Sequence, residues 1–361
     1  MIQSYFHRWE QELAAVSAHE RKVRPFEWGD DWIERGSGIG DQGSGTAEAR
    51  ARVSAWVDAV MKNSDAFFTP EPARYTFTKS PETVRASGEE GVLTFPSGFT
   101  TPHEKNNTVV ARYFPANPIR GFRKRTSRLP RRAVVVLAQW NSDAEGHVGL
   151  CKLLSALGVA SLRISLPYHD ARMPPELTRA DFIVSSNIVR TLQVCRQAVR
   201  DVRLALWWLR DQGYERLGLL GTSLGSCLSY LTTCHEPLVR AQALNHVSPF
   251  FGDVVWRGLS TEHVRHGLEP HVDIDQLREL WRPISPWSFI DRLHDRRTLM
   301  VYAKYDLTFP VDLSLKLIDE LRRRNIPLEV AVLPCGHYST GAAPFKYLDG
   351  WYLGKFLATR L

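Results

Sequence analysis

A serine in a glycine-rich turn is the residue best placed to do chemistry in this sequence. Gly221–Gly225 reads G-T-S-L-G, follows the apolar run Leu217–Leu220 and precedes a helix-like segment. In a strand-to-helix setting, the G-x-S-x-G pattern holds its serine in a strained turn with the hydroxyl raised above the sheet edge. The two glycines allow the strand and helix to approach closely without a Cβ clash. Ser223 is therefore the candidate nucleophile.

A serine hydroxyl needs a general base, and that base needs an acid to orient it. Asp306 lies 83 residues after Ser223, just past an apolar run, and His337 lies a further 31 residues on, just past another. Alone, Asp306 could cap a helix and His337 could be an ordinary loop histidine. The order Ser, Asp, His, with each residue at a predicted strand end, favours a catalytic triad.

Two backbone N–H groups are expected to stabilise an oxyanion beside this triad. One is that of Leu224, directly after the serine. The other is that of Trp140, in the loop that follows the apolar run 133–138, with that of Asn141 next. A packing role for the Trp140 ring is compatible with this, because the donor is the backbone. Three further residues at predicted strand ends are candidates to line the site: Asn141, Tyr168 and His246. For His246, a hydrogen-bonded role in the core is favoured over a place in the site.

The other motifs in the sequence give little evidence of function. Gly38–Gly43 matches G-x-G-x-x-G, but no apolar strand precedes it and five of the residues 36–45 are glycine, which favours a flexible loop over a dinucleotide site. The sequence contains no P-loop, no H-E-x-x-H and no C-x-x-C pattern. Its five scattered cysteines are expected to be reduced and buried. We therefore expect neither a cofactor nor a metal ion.

The elements that must position these residues alternate from residue 86 onward. Apolar runs typical of buried strands alternate with amphipathic helical segments, which predicts a mostly parallel twisted sheet with helices on both faces. Two excursions, residues 167–186 and 248–293, leave the C-terminal ends of strands, where open α/β sheets bind ligands. Both are expected to form a cap over the site.

Residues 1–85 predict a helical and irregular extension packed on the sheet domain. Residues 1–20 have apolar residues at helical spacing, including Ile2, Tyr5 and Val16, with Glu10 and Glu12 on the polar face. A membrane-bound helix would carry more lysine, so docking on the protein's own surface is favoured. A second helix is predicted over residues 46–62.

Charge and composition limit the partners. The formal net charge is +7, and much of the excess lies in Arg120–Arg132. This stretch could contact anionic lipid or nucleic acid. Because no nucleic-acid fold signature accompanies the charge, a solvated loop is favoured. The charged fraction of 24% is ordinary for a globular protein, and the N-terminus lacks the pattern of a secretory signal. We expect a cytoplasmic protein that acts on a small acyl substrate without binding nucleic acid.

The sequence resembles the α/β-hydrolase superfamily in G-T-S-L-G around Ser223, in A-K-Y-D-L-T-F-P around Asp306 and in P-C-G-H-Y-S around His337. Within it, the chain looks similar to poorly characterised bacterial proteins related to the abhydrolase-domain-containing group. Ser285-Pro286, shortly before the strand that leads to Asp306, is similar to a pattern of the esterase and oligopeptidase branches. One departure is the Gln139-Trp140-Asn141 loop, which lacks the glycine that many members carry there. The resemblance implies an α/β-hydrolase fold with cap insertions.

The function expected from these residues is hydrolysis of a carboxylic ester through an acyl-enzyme on Ser223. The same triad could instead cleave an amide, a thioester or a lipid acyl ester. A binding protein on a hydrolase fold is a third alternative, because fold does not fix function.

Overall fold

The computed structural model describes residues 2–33, 46–80, 90–118 and 130–361. The glycine-rich segment Gly38–Gly43 and all of Arg120–Arg132 but its last three residues lie outside these ranges. No helix in the described ranges is both long enough and apolar enough to span a membrane.

Within the described ranges, nine strands form one sheet in the order β1-β2-β3-β5-β4-β6-β7-β8-β9. The first three strands and β5 pair antiparallel, and every pairing from β5 through β4 to β9 is parallel. The strands are β1 Thr76–Lys79, β2 Gly91–Pro96, β3 Thr108–Phe114, β4 Arg132–Leu137, β5 Ala160–Ile164, β6 Arg216–Thr222, β7 Val239–Asn245, β8 Arg297–Ala303 and β9 Leu328–Leu333. The sheet is thus mostly parallel, as predicted.

The helices cover both faces of the sheet. They are α1 Ile2–Ala15, α2 Thr46–Lys62, α3 Ser64–Phe68, α4 Val148–Ala156, α5 Ile188–Asp211, α6 Leu224–His235, α7 Phe251–Arg257, α8 Glu262–Leu268, α9 Ile274–Leu280, α10 Val311–Arg323 and α11 Phe345–Arg360. Residues of β4 alternate between two cores: Val135 and Leu137 belong to the one that includes α5 and α6, whereas Val134 and Val136 belong to the one that includes α4 and α11. Burial on both faces explains why this strand is a continuous apolar run.

The predicted boundary between an N-terminal extension and the sheet domain needs correction. β1 lies before residue 86, yet it pairs with β2 as the edge strand of the same sheet. Its four residues are mostly exposed, so the strand carries little of the apolar signal of a buried strand, although the sequence pattern changes toward strands from Ala73. Part of the presumed extension therefore belongs to the sheet.

Helix α1 docks on the protein's own surface through a face other than the one that its apolar spacing predicts. Ile2, Tyr5 and Val16 are 65%, 62% and 74% exposed, whereas Glu10, expected on the polar face, is completely buried. The ring of Phe6 stacks on that of Tyr305, with ring centroids 4.7 Å apart. The helix is rotated relative to the prediction, so that a carboxylate faces inward.

The excursion 167–186 is held down by a buried ion pair. Arg172 lies in a short 3₁₀ turn of this segment and is fully buried. Its guanidinium approaches the Asp201 carboxylate of α5 to 2.9 Å and also donates to the backbone carbonyls of Asn106 and Ser165. Breaking such a pair would leave a buried charge without compensation, so the pair fixes where the segment leaves β5.

Candidate active site

The turn between β6 and α6 holds Ser223 in a backbone conformation that side chains rarely adopt. Its φ is 57° and its ψ is −119°, and the residue is 7% exposed. A Cβ on Gly221 would lie 2.1 Å from the carbonyl oxygen of Gly225, so only glycine fits at that position. The turn therefore has the strained geometry expected of a nucleophile elbow.

Gly225 brings the turn against the end of the neighbouring strand. A Cβ on Gly225 would lie 2.3 Å from the Leu137 carbonyl oxygen and 2.6 Å from that of Ala138. The start of α6 therefore touches the backbone of the last residue of β4 and of the residue after it. This contact places the loop containing Trp140 beside Leu224, the first residue of α6.

Asp306 and His337 meet at the same edge of the sheet, from the loops after β8 and β9. His337 Nδ1 lies 3.0 Å from Asp306 Oδ2 in a hydrogen bond. The other carboxylate oxygen, Oδ1, accepts the backbone N–H groups of Thr308 at 2.8 Å and Phe309 at 2.6 Å. The Phe309 ring also stacks on the imidazole, with the two planes 1° apart. Asp306 is thus fixed in place and fixes the imidazole in turn.

A second histidine shares this carboxylate. His246, directly after β7, is 1% exposed, and its Nδ1 lies 3.0 Å from Asp306 Oδ2 in a geometry too bent for a hydrogen bond. Its ring centroid is 4.5 Å from that of His337. Its backbone carbonyl accepts the Ser226 hydroxyl of α6 at 2.7 Å, which links the serine turn to the acid and the base. His246 is therefore buried against Asp306 and His337 and bonded within the protein.

The two histidines of this cluster differ in how readily their rings are protonated. Burial opposes protonation of His337, but the charge of Asp306 and its hydrogen bond outweigh burial and raise the pKa of His337. Burial and the neighbouring His337 lower the pKa of His246. Burial alone would raise the pKa of Asp306, yet His337 and His246 hold it well below its ordinary value. The stable arrangement is an ionised Asp306 between a basic His337 and a neutral His246.

The same three side chains, His246, Asp306 and His337, could also ligate a metal ion by type and proximity, with one donor atom from each within 4.8 Å of the others. However, Asp306 Oδ2 is already at hydrogen-bond distance from His337 Nδ1, and Oδ1 already accepts two backbone N–H groups. The donors are thus directed at one another and not at a common central point. Their geometry suits proton transfer better than metal coordination.

The two backbone groups expected to bind an oxyanion remain candidates. The Leu224 N–H lies in the first turn of α6, where no intrahelical acceptor is available. The Trp140 backbone N–H forms no hydrogen bond with any residue that the structure describes. Both therefore have donor capacity to spare, on two segments that Gly225 holds in contact.

The Trp140 loop is held by the excursions and by a buried histidine. The Trp140 indole N–H donates to the Ala180 carbonyl at 2.9 Å, and the Asn141 side-chain oxygen accepts the Ala180 N–H at 2.8 Å. The Asn141 backbone N–H donates to His169 Nε2 at 3.0 Å, and burial lowers the pKa of His169 to about 4. His263, from the second excursion, stacks on the Trp140 ring. Asn141 is thus engaged in bonds within the protein, which differs from the expected contact with substrate.

Tyr168 also differs from its expected position near the cleft. Its side chain is completely buried, its hydroxyl lies 3.0 Å from His103 Nδ1, and its ring packs edge-on against Phe182. The chain turns at Tyr168 with a positive φ of 64°, which directs the residue into the core of the first excursion. Tyr168 therefore stabilises the excursion.

Two supporting residues escaped the sequence analysis because their partners are distant in sequence. Glu10 of α1 accepts the N–H of Tyr338, the residue after His337, at 2.8 Å. His147 Nε2 lies 2.8 Å from the Thr222 hydroxyl, next to Ser223. The helical spacing placed Glu10 on the polar face of α1, and no sequence signal distinguished this buried carboxylate from a solvated one.

Comparison with known proteins agrees with the fold. Residues 41–252, more than half of the chain, match the family described as "Alpha/beta hydrolase domain containing 18". The match includes Ser223 and Trp140, whereas Asp306 and His337 lie beyond it. It also begins well inside residues 1–85, so the family covers part of the presumed extension. No curated protein matches the chain.

Solved structures with the same fold include several hydrolases. An acetyl xylan esterase from Paenibacillus sp. R4 is 12% identical, with a TM-score of 0.60 over 96% of this chain and 99% of the esterase. Acetyl xylan esterase 1 from Thermoanaerobacterium sp. JW/SL YS485 is 15% identical, with a TM-score of 0.55 over 96% of this chain and 98% of its own. Pyrococcus horikoshii acylaminoacyl peptidase is 12% identical, with a TM-score of 0.55 over 85% of this chain but 43% of its own.

Replacing Gly225 with alanine tests the contact between the elbow and β4. We expect Gly225→Ala to destabilise the fold by more than about 4 kcal/mol, because the new methyl group would overlap backbone atoms that cannot move aside. Gly149→Ala in α4 is the matched control, since a Cβ there meets nothing within 4 Å, and alanine should stabilise that helix by up to about 1 kcal/mol. Thermal unfolding followed by circular dichroism measures both, and equal midpoints for the two variants would contradict the account.

The charge distribution of the His–Asp–His cluster predicts two separate titrations. Because the pKa of His337 is raised, its ring stays protonated to higher pH than a free histidine and loses its proton above about 6.5, whereas His246 loses its proton below that value. NMR of ¹³Cε1-labelled histidines measures both, with His337→Gln and His246→Gln used for assignment. The reverse order of midpoints would show that the cluster holds its proton on the other ring.

Proposed function

The chain belongs to the alpha/beta hydrolase domain containing 18 family, and from that premise we propose that it is a serine hydrolase that cleaves a carboxylic ester through an acyl-enzyme on Ser223. The observation that carries the proposal is that a strained serine turn and the hydrogen-bonded pair Asp306 and His337 follow the C-terminal ends of parallel strands of one sheet. A serine, a base and an orienting acid are the three groups that this chemistry requires.

In the first step, the Ser223 hydroxyl oxygen attacks the acyl carbon, and His337 removes the hydroxyl proton. Because Nδ1 of His337 donates its hydrogen to Asp306, the lone pair that accepts the proton is on Nε2. The resulting imidazolium is stabilised by the ionised Asp306, in agreement with the raised pKa of His337. The proton on Nε2 then passes to the alkoxide leaving group as the C–O bond breaks.

In the second step, water replaces the alcohol. His337 takes a proton from water, the hydroxide equivalent attacks the acyl carbon of the ester on Ser223, and the serine oxygen leaves with the proton returned by His337. The backbone N–H groups of Leu224 and Trp140 are proposed to hold the oxyanion in both steps, because both have donor capacity to spare and lie on segments joined at Gly225.

The surroundings of Ser223 favour a small acyl substrate. Ser223 is only 7% exposed, and both excursions contact Trp140 beside it. Substrate would therefore have to pass between the two excursions, which agrees with a cap role for them. Two of the structures with this fold that match over nearly their full length are acetyl xylan esterases, which supports an ester as the first substrate class to test.

Replacing Ser223 with alanine tests the proposal. Ser223→Ala should lose labelling by a fluorophosphonate probe and lose turnover of p-nitrophenyl acetate by at least about a thousandfold, because the acyl-enzyme can no longer form. Ser54→Ala is the matched control, since Ser54 is exposed on α2, and it should keep both activities. Undiminished labelling of Ser223→Ala would contradict the assignment of the nucleophile.

A panel of substrates distinguishes the alternatives that share the triad. Turnover of p-nitrophenyl esters, but not of the matching anilide or of a thioester, would support the ester proposal. Preference for long acyl chains presented on vesicles would instead support a lipid acyl hydrolase. Absence of labelling and of turnover in the wild-type protein would support a binding function on a hydrolase fold.

A further inference from the structure

The N-terminal helix α1 places a carboxylate directly behind the loop that carries His337. Glu10 is fully buried, and Oε2 accepts the Tyr338 N–H at 2.8 Å. Oε1 accepts the N–H and the hydroxyl of Ser339, at 2.9 and 2.7 Å. A residue distant by 328 positions in the chain thus binds the two residues that follow His337.

The same carboxylate also controls the residue before His337. The Ser339 hydroxyl oxygen accepts the Gly336 N–H at 2.8 Å while its hydrogen is donated to Glu10. A Cβ on Gly336 would lie 2.3 Å from the Glu10 carboxyl carbon, so the two residues are in contact. Through these bonds Glu10 fixes the backbone on both sides of His337.

The Glu10 carboxylate is surrounded by hydrogen-bond donors and has no cationic partner among the described residues. Three hydrogen-bond donors face its two oxygens, and in the described ranges no arginine, lysine or histidine nitrogen lies within ion-pair distance of them. Its negative charge is therefore compensated by dipoles alone and acts on the nearby imidazole. Together with Asp306 it raises the pKa of His337.

Helix α1 is attached to the acid loop as well as to the histidine loop. Phe6 stacks on Tyr305, the residue before Asp306. The Tyr305 N–H in turn donates to the Cys335 carbonyl at 2.9 Å, which joins the two loops. On the next segment of the chain, Arg21 donates to the Tyr338 hydroxyl at 3.1 Å and to the Ala14 carbonyl at 2.8 Å. One face of the N-terminal region thus contacts both catalytic loops.

We propose that Glu10 is a positioning residue for the general base: its buried carboxylate fixes the His337 loop and supplies a second negative charge that stabilises the imidazolium formed during catalysis. The part of the proposal that concerns catalysis rests on the proposed function, in which His337 is the base. The part that concerns the charge and position of the imidazole can be measured without any substrate.

The test compares Glu10→Gln with Glu12→Gln in the full chain. Glu12 lies on the same helix and is exposed, so the control removes the same charge without touching the loop. Glutamine at position 10 keeps one acceptor oxygen but turns an amide N–H₂ toward another donor. We expect the NMR titration midpoint of His337 to fall by about one pH unit in Glu10→Gln only. The kcat for p-nitrophenyl acetate should fall about tenfold, with KM nearly unchanged.

The two readouts separate failure of this proposal from failure of the proposed function. A His337 midpoint equal in the wild type, Glu10→Gln and Glu12→Gln would overturn the role of Glu10, whether or not the protein hydrolyses esters. If the wild type shows no turnover but the midpoint falls in Glu10→Gln, the charge effect stands and the proposed function fails.

Ser339→Ala provides a second test that does not depend on how well Glu10→Gln folds. It removes the hydroxyl that joins Glu10 to Gly336 but leaves the Glu10 charge in place. We expect a lower kcat with the His337 midpoint unchanged. The loop loses a hydrogen bond that constrains it, whereas the Glu10 charge still acts on the imidazole. A wild-type kcat in Ser339→Ala would show that the loop does not need this link.

Discussion

The buried carboxylate of Asp306 is the group on which the rest of the site depends. One of its oxygens is taken by two backbone N–H groups, and the other is shared between His337 and His246. A carboxylate this deeply buried remains ionised only because its neighbours compensate the loss of water. The same contacts fix the tautomer of His337. Removing any one of these neighbours would change both the charge and the orientation of the His337 imidazole.

The loops around Asp306 carry unusual backbone conformations, which the fold must stabilise. Six of the seven non-glycine residues with positive φ in the described chain lie in the loops that follow β4 to β7. Such conformations persist only where surrounding contacts over-determine them, and they cluster at functional sites. Here those contacts are the close approach of Gly225 to the end of β4 and the hydrogen bonds of His169 and Ala180 to the Trp140 loop. This edge of the sheet is thus held rigid by the packing of α6 against β4 and by the hydrogen bonds of the first excursion to the Trp140 loop.

Those features of the fold and the site that depend on local sequence patterns could be predicted from the sequence. The parallel strands, the long helix α5 and the order of Ser223, Asp306 and His337 follow from apolar periodicity and from one short motif, and the fold agrees with them. The contact of Glu10 with the His337 loop could not be predicted, because it joins residues far apart in sequence and breaks the rule that charges stay in solvent. The buried position of Tyr168 depends similarly on tertiary packing, which its place after a strand does not encode.

The central claim, that Ser223 is activated by His337 and Asp306, is tested most directly by locating a covalent adduct. After reaction of the wild-type protein with a fluorophosphonate, trypsin should release the peptide that runs from Leu217 to Arg240, which also contains Ser226 and Ser229. Fragmentation in the mass spectrometer should place the phosphonyl group on Ser223, with no adduct formed after His337→Gln substitution. An adduct on another serine, or equal labelling without His337, would contradict the account.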